Sequence, residues 1–227
     1  MSNYLAIAAV TATLQDILQN AALAAVPGTD VTIKRPEASN TGGQEKAAIN
    51  LYLYQTTPDP SWINADLPTR NGNGILVRRP QMALNLDYLI SFHGSELAME
   101  LQRLLGSVIS ALYAYPILEM DAIRRSIDSR NYLMQDTIFD QVELVKLSQI
   151  NLSLEELSKL WSVFFQVPYT LSVIYRASPV FVEAQLPTST VKPVTEVKIG
   201  PVPENHEPLV TIGDQIPGRK SAPEVPS

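Results

Sequence analysis

The chain has 227 residues, 45% of them hydrophobic, with a formal net charge of −6 and no cysteine. That length suffices for one well-filled core, or for one domain with an appendage. The acidic balance argues against a nucleic-acid partner, whose phosphates demand clustered Lys and Arg, and the lack of cysteine excludes a disulfide framework, a zinc ribbon and a thiol nucleophile together.

A cysteine-free chain fits a reducing cytosol. It opens Met1-Ser2-Asn3-Tyr4 with no basic segment, and the Ala-rich stretch that follows carries Gln15, Asp16, Gln19 and Asn20, so it does not read as a secretion signal. No apolar run reaches the roughly 18 residues that cross a bilayer, so no direct membrane insertion is expected.

Leu5, Ile7, Val10, Leu14, Ile17, Leu18 and Ala21 form an apolar stripe that predicts a first helix over about residues 3–24, stopped by Pro27-Gly28. Val31–Arg35 reads as a short strand ended by Pro36, and the polar Glu37–Lys46 as a hairpin-type loop. Ala48–Gln55 alternates, with Ile49, Leu51 and Leu53 against Asn50, Tyr52 and Tyr54. Residues 56–78, rich in Pro, Asn and Gly, form a long loop of the kind that is often functional. Trp62 lies in it, and either folds back over the sheet edge or holds a neighbouring subunit, since Trp is favoured at interfaces.

The organising stretch is Arg79–Leu118. Met82, Leu84, Leu86, Tyr88, Ile90 and Phe92 fall on one parity, and Gln81, Asn85, Asp87, Ser91 and His93 on the other. This predicts a long strand with one buried and one wetter face. His93-Gly94-Ser95 breaks it, and Ser95 is expected to N-cap a helix carrying Leu97, Leu101, Leu104, Leu105, Val108 and Leu112. Tyr115-Pro116 turns the chain into a short polar helix, Met120–Arg130, whose Arg124, Arg125 and Arg130 alternate with Asp121 and Asp128 as a solvated face would. Gln141–Ile150 is a further strand. Ser153-Leu154-Glu155-Glu156 is a capping box opening a helix with Leu157, Leu160, Trp161 and Phe164 toward the core. A last strand, Tyr169–Arg176, places Leu171, Val173 and Tyr175 on one face and leads into Val180–Val182.

At Pro187 the composition changes, and eight of the 17 prolines fall in residues 187–227. The chain therefore divides into a domain at 1–186 and an extended Pro-rich arm at 187–227, either disordered or bound to a partner. Two strand-like islands stand out in the arm: Thr195–Ile199, with Val197 and Ile199, and Leu209–Ile212, with Val210. Fully extended, the arm spans on the order of 130 Å.

Catalytic chemistry is not legible. The two histidines, His93 at a strand end and His206 in the arm, are isolated, and no His/Asp/Glu cluster has metal-ligand spacing. Gly72-x-Gly74 lacks the continuation of a phosphate loop. Glu155-Glu156 suits a helix N-terminus better than an acid/base pair. Neither enzyme activity, nor a metal, nor a cofactor is expected.

Several strings, in order, resemble the cap or tail-terminator proteins of phage-tail-like contractile injection systems, specifically the N-terminal domain of the Pvc-type cap family. They are Ala48-Ile49-Asn50-Leu51-Tyr52-Leu53-Tyr54, Arg79-Pro80, Leu86-Asp87-Tyr88-Leu89-Ile90, Leu104-Leu105-Gly106, Leu154-Glu155-Glu156-Leu157-x-x-Leu160-Trp161 and Leu171-Ser172-Val173-Ile174-Tyr175. They cover roughly residues 4–185. The resemblance implies a structural role: a ring, expected to be a homohexamer, that ends inner-tube growth and ties the last sheath layer to it. Sheath protein and inner-tube protein are then the partners. The location is the cytoplasm, within an assembled particle that is released or moored through other components. The implied fold is α+β, a mainly antiparallel mixed sheet packed by three to four helices. Trp62, Val197, Ile199, Leu209, Val210 and Ile212 are the candidate partner-binding residues. Other readings are a different structural tail component, such as a sheath or baseplate piece, and a small-molecule or peptide-binding domain with the 56–78 loop as a lid.

Overall fold

The structure, a computed structural model, describes residues 4–37, 46–62, 80–133 and 144–184. Within them the order is α1 (Ala6–Ala25), β1 (Asp30–Thr32), β2 (Ala48–Pro58), β3 (Gln81–His93), α2 (Glu100–Ala114), α3 (Met120–Asp128), a 3-10 turn at Asn131–Leu133, β4 (Lys146–Ile150), α4 (Leu154–Ser162) and β5 (Ser172–Glu183). The strands form one five-stranded sheet in the order β1-β2-β3-β5-β4. Every pairing is antiparallel except β1 with β2. The expected class, α+β with a mainly antiparallel sheet and three to four helices, is the one observed.

β3 sits at the centre because its alternation lets it be covered on both sides. Leu86, Tyr88, Ile90 and Phe92 point into a core shared with Ile49 and Leu51 of β2, Tyr175 and Ala177 of β5, and the buried residues of α1, α2 and α3. The small buried side chains of α1 (Ala6, Ala9, Ala12 and Ala22) allow that helix to lie close against its neighbours. The opposite parity carries a second, smaller core of Leu89, Ile174, Trp161 and Phe164, flanked by Tyr52 and Tyr54. α1–α3 thus cover one face and α4 part of the other.

The two polar residues of α1 that interrupt its Ala-rich run have a structural use. Gln15 Nε2 donates to the Val31 carbonyl at 2.8 Å, and Gln19 Oε1 accepts from the Val31 amide at 2.9 Å, so α1 holds β1 by its backbone. Asn50 Oδ1 accepts from Lys34 N and Thr32 Oγ1, each at 3.2 Å, at the point where β1 leaves the sheet.

Five sequence expectations are corrected. β1 runs parallel to β2, so residues 33–47 do not join a hairpin; a parallel return needs a connection of about this length, not a tight turn. The second face of β3 is not wet: Asn85, Asp87 and Ser91 are buried, whereas Met82, assigned to the core parity, is 56% exposed near the strand's start. The helix after β3 begins at Glu100 rather than Ser95, because Met99 adopts a left-handed conformation with φ of +50°. β5 is one continuous strand through Val182, with Pro179 placed just past the end of β4 and at a register shift against β3, where no ladder hydrogen bond is lost. The Gln141–Ile150 strand begins at Lys146 within the described residues, and residues 141–143 lie outside them.

Candidate interaction surfaces

Several charged side chains hold the fold together. Arg176 Nε and Nη2 donate to the two carboxylate oxygens of Asp87 at 2.7 and 2.9 Å, a bidentate pair across β3 and β5. Asp87 is almost wholly buried, with 3% of its side chain exposed against 37% for Arg176. The hydrogen bond and charge of Asp87 push the Arg176 guanidinium pKa up. Nearby, Asp59 Oδ2 accepts from Ser178 Oγ at 2.7 Å and Oδ1 from the Ser61 amide at 2.9 Å. Burial alone would raise the Asp59 carboxyl, but these hydrogen bonds hold it below the usual carboxylate range.

On the helical face, Arg130 donates from both terminal nitrogens to Asp16 at 2.7–2.8 Å, and Ser126 Oγ donates to the same carboxylate at 2.6 Å. Burial opposes ionisation of Asp16, yet the Arg130 and Ser126 hydrogen bonds leave its pKa lowered. Arg130 is therefore a tie between α1 and the end of α3 rather than part of a solvated face. The Tyr88 hydroxyl, shared with Thr11 Oγ1 at 2.8 Å, has its pKa raised by burial, against the opposing hydrogen bond. His93 closes β3 beside a hollow of about 220 Å³ that Glu96, Val167 and Tyr169 also line. Among the described residues no group of three or more His, Asp and Glu could hold a metal ion.

Of the candidate partner-binding residues, Trp62 is described, and Val197, Ile199, Leu209, Val210 and Ile212 lie outside the described residues. Trp62 follows the turn closed by its own amide on the Asp59 carbonyl (3.1 Å), and its ring meets Phe181 edge-on at 5.0 Å. It remains partly exposed.

Two apolar surfaces escaped sequence reasoning. The first consists of the 96–99 turn before α2 and the 163–169 segment after α4. Leu97 is 99% and Phe165 80% exposed, and Met99, Val163 and Tyr169 are also exposed. Among the described residues, Met99 and Gln166 are the non-glycine residues with positive φ, at +50° and +60°, and both lie here. Such backbone costs about 1 kcal/mol per residue and persists where the surroundings impose it. Phe164, next in sequence to Phe165, turns inward onto Trp161 and Tyr52, with ring centroids 5.7 Å from each. The Phe164-Phe165 doublet was the available signal, since both cannot enter one core from the end of a helix. The second surface is a groove of about 480 Å³ between α1, the end of α2 and the start of α3, lined by Ile17, Ala21, Ala111, Tyr115, Ile117 and Ala122 together with Asn20, Glu119 and Arg125.

No helix among the described residues is long and apolar enough to cross a membrane. Two cryo-EM structures share the fold. The sheath/tube terminator of the PVC extracellular contractile injection system, in its extended state, superposes with a TM-score of 0.55 at 17% identity over 90% of this chain. The tube-terminating cap of the anti-feeding prophage superposes with a TM-score of 0.51 at 18% identity over 82% of it. The chain spans 65% of the first of these proteins and 59% of the second. No curated protein sequence matches the chain. The family model described as the Pvc16 N-terminal domain matches residues 9–196, most of the sequence, and the chain belongs to that family.

Proposed function

We propose that this protein is a structural cap, a tail terminator closing the end of a contractile injection particle farthest from its baseplate. The observation that carries the reading is membership of the Pvc16 N-terminal domain family, supported by a fold shared with a sheath/tube terminator and a tube-terminating cap. The buried carboxylates Asp87 and Asp59 serve as internal ties, while apolar side chains such as Phe165 and Leu97 stand exposed to partners, which suits an assembly role. A terminator must present one face that matches the filament end and close its lateral contacts upon itself; a heterologous ring of identical copies does both. On this reading the chain forms a homohexameric ring, bears on inner-tube and sheath proteins, and works in the cytoplasm where particles assemble. Particles lacking the chain should vary widely in length under negative-stain microscopy. Normal lengths with attached sheath would overturn the reading.

The arm at 187–227 is assigned to lashing the ring to a sheath or cap neighbour. Thr195–Ile199, through Val197 and Ile199, or Leu209–Ile212, through Leu209, Val210 and Ile212, add as strands to a neighbour's sheet. This chain has an edge of the receiving kind, because β1 covers only Ala48–Asn50 of β2 and no other described strand pairs on that side with Leu51–Pro58. Trp62 contributes the exposed part of its ring to the same neighbour. Deleting residues 187–227 should release sheath from the cap while leaving the melting temperature of the remaining domain within about 2 °C. Unchanged sheath attachment would rule out the role of the arm.

A further inference from the structure

We propose that the strand-like segment Thr195–Ile199 of each copy adds to the outer edge of β2 in the neighbouring copy, along Leu51–Thr57, so that the arm links cap to cap around the ring. This rests on the ring reading above and leaves Leu209–Ile212 to reach the sheath. The two outer edges of the sheet differ. Beside β4 runs the segment Pro116–Leu118: Leu147 N donates to the Pro116 carbonyl at 2.7 Å, Leu118 N donates to the Val145 carbonyl at 2.9 Å, and Ile117 bridges to Lys146. Beside β2, β1 pairs with Ala48–Asn50, and no other described strand pairs on that side with Leu51–Pro58. Natural sheets blunt such an edge with charged side chains, prolines or a covering segment, because its free N–H and C=O groups recruit another strand. From Ala48 to Thr57 β2 carries no acidic or basic side chain, and its one irregularity is the register shift between Leu53 and Gln55. A long, uncharged edge of this kind is built to be filled.

The arm carries a strand that matches it. Thr195–Ile199 alternates, with Val197 and Ile199 on one parity and Glu196 and Lys198 on the other. β2 alternates likewise: Leu51 and Leu53 belong to the main core, and Tyr52 and Tyr54 flank the smaller one. Tyr52, Leu53 and Tyr54 are only half-buried, which leaves them area for an added strand to cover. Val197 and Ile199 extend the leucine row, while Glu196 and Lys198 lie on the tyrosine side, where water still reaches. Reach selects the neighbour over the chain's own edge. β5 ends at Glu183, and from there to Val197 the extended chain covers about 45 Å. A copy's own β2 edge lies three strand spacings from β5, about 14 Å. Touching domains of this size have centres about 40 Å apart, the distance the segment spans. Donor segment and acceptor edge are different features of one chain, so the contact repeats in one direction and closes as a heterologous ring.

The natural absence of cysteine allows a clean test on the full chain. Gln55→Cys, at an exposed position of β2, combined with Lys198→Cys and treated with a short bismaleimide, should give a ladder of covalent oligomers up to the ring, and neither substitution alone should. Val197→Pro with Ile199→Pro removes two strand donors from the arm and leaves the sequence of the domain intact. It should weaken ring association at least tenfold by light scattering, and speed amide exchange at least tenfold at alternate positions of Leu51–Thr57 while β3 keeps its protection. A ring in the unmodified protein with no ladder, and with the β2 edge exchanging equally fast in both proteins, overturns this contact and leaves the ring reading standing. An unmodified protein that stays monomeric at every concentration removes both. A cross-link confined within single chains would mean that each arm fills its own edge. Protection of Leu51–Thr57 that arises only when purified sheath protein is added would assign the edge to a sheath strand. Either of the last two results overturns the proposal.

Discussion

Asp87 reads in the sequence as a polar residue on the wet side of an alternating strand, and nothing local contradicts that. It is buried because Arg176, 89 positions later, arrives opposite it on β5 with a fork that matches its two oxygens. Arg176→Met should cost about 3 kcal/mol in urea unfolding, because it leaves a carboxylate in a buried place without its partner; replacing Asp87 by Leu at the same time should recover part of the loss. A cost below about 1 kcal/mol for the single change would mean that the pair is solvated. Asp59 makes the corresponding statement about pH. Its folded pKa is lowered, so its contribution is complete above the unfolded carboxylate value near 4 and disappears as the pH falls through the lower folded value. Ser178→Ala removes the hydroxyl that helps hold that pKa down, and should move the midpoint of acid unfolding to higher pH. An unmoved midpoint would show that Asp59 does not govern acid stability.

Elements whose start is set by local chemistry were legible before the structure. Ser153 illustrates this: its Oγ accepts from the Glu156 amide at 3.3 Å, and the Glu156 carboxylate accepts from the Ser153 amide at 2.9 Å, the reciprocal pair the spacing predicts. Ser153→Ala should destabilise α4 by about 1 kcal/mol, seen as faster amide exchange through Leu154–Ser162. The start of α2 does not follow from its cap in this way, although Ser95 looks like an equally good one. Glu100 Oε2 accepts from the Ser95 amide at 2.8 Å across five residues, and Gly94, at φ of +151°, admits the close approach. A Cβ on Gly94 would lie 2.8 Å from that same Glu100 oxygen. The arrangement spends the segment from Ser95 to Met99 on a turn, and leaves Leu97 in solvent. Helical spacing alone could not reveal this, because Leu97 and Leu101 are four apart whether or not the helix has begun.

At the scale of the described domain the decisive feature is that the centre of the sheet, β3 with β2 and β5 beside it, is covered on both faces by unequal layers. The α1–α3 side holds most of the buried residues, and the α4 side is a small satellite around Leu89, Trp161, Phe164 and Ile174. Satellite clusters open at lower free energy than the main core. Trp161→Ala, which removes a buried indole whose Nε1 donates to Ser172 Oγ at 3.2 Å, should therefore abolish exchange protection in α4 while β3 and α1 keep theirs. Loss of protection everywhere at once would mean that the two faces fold as one unit. The same inequality leaves turns of the α4 side free to carry Phe165 outward.

Periodicity, capping and composition by themselves determined most of the helices and strands and which parity of β3 enters the main core, because each depends on residues near one another in the chain. The parallel placement of β1 and the burial of Asp87 were decided only by tertiary structure. Each depends on a partner from a distant segment, and no local spacing encodes where that partner will stand.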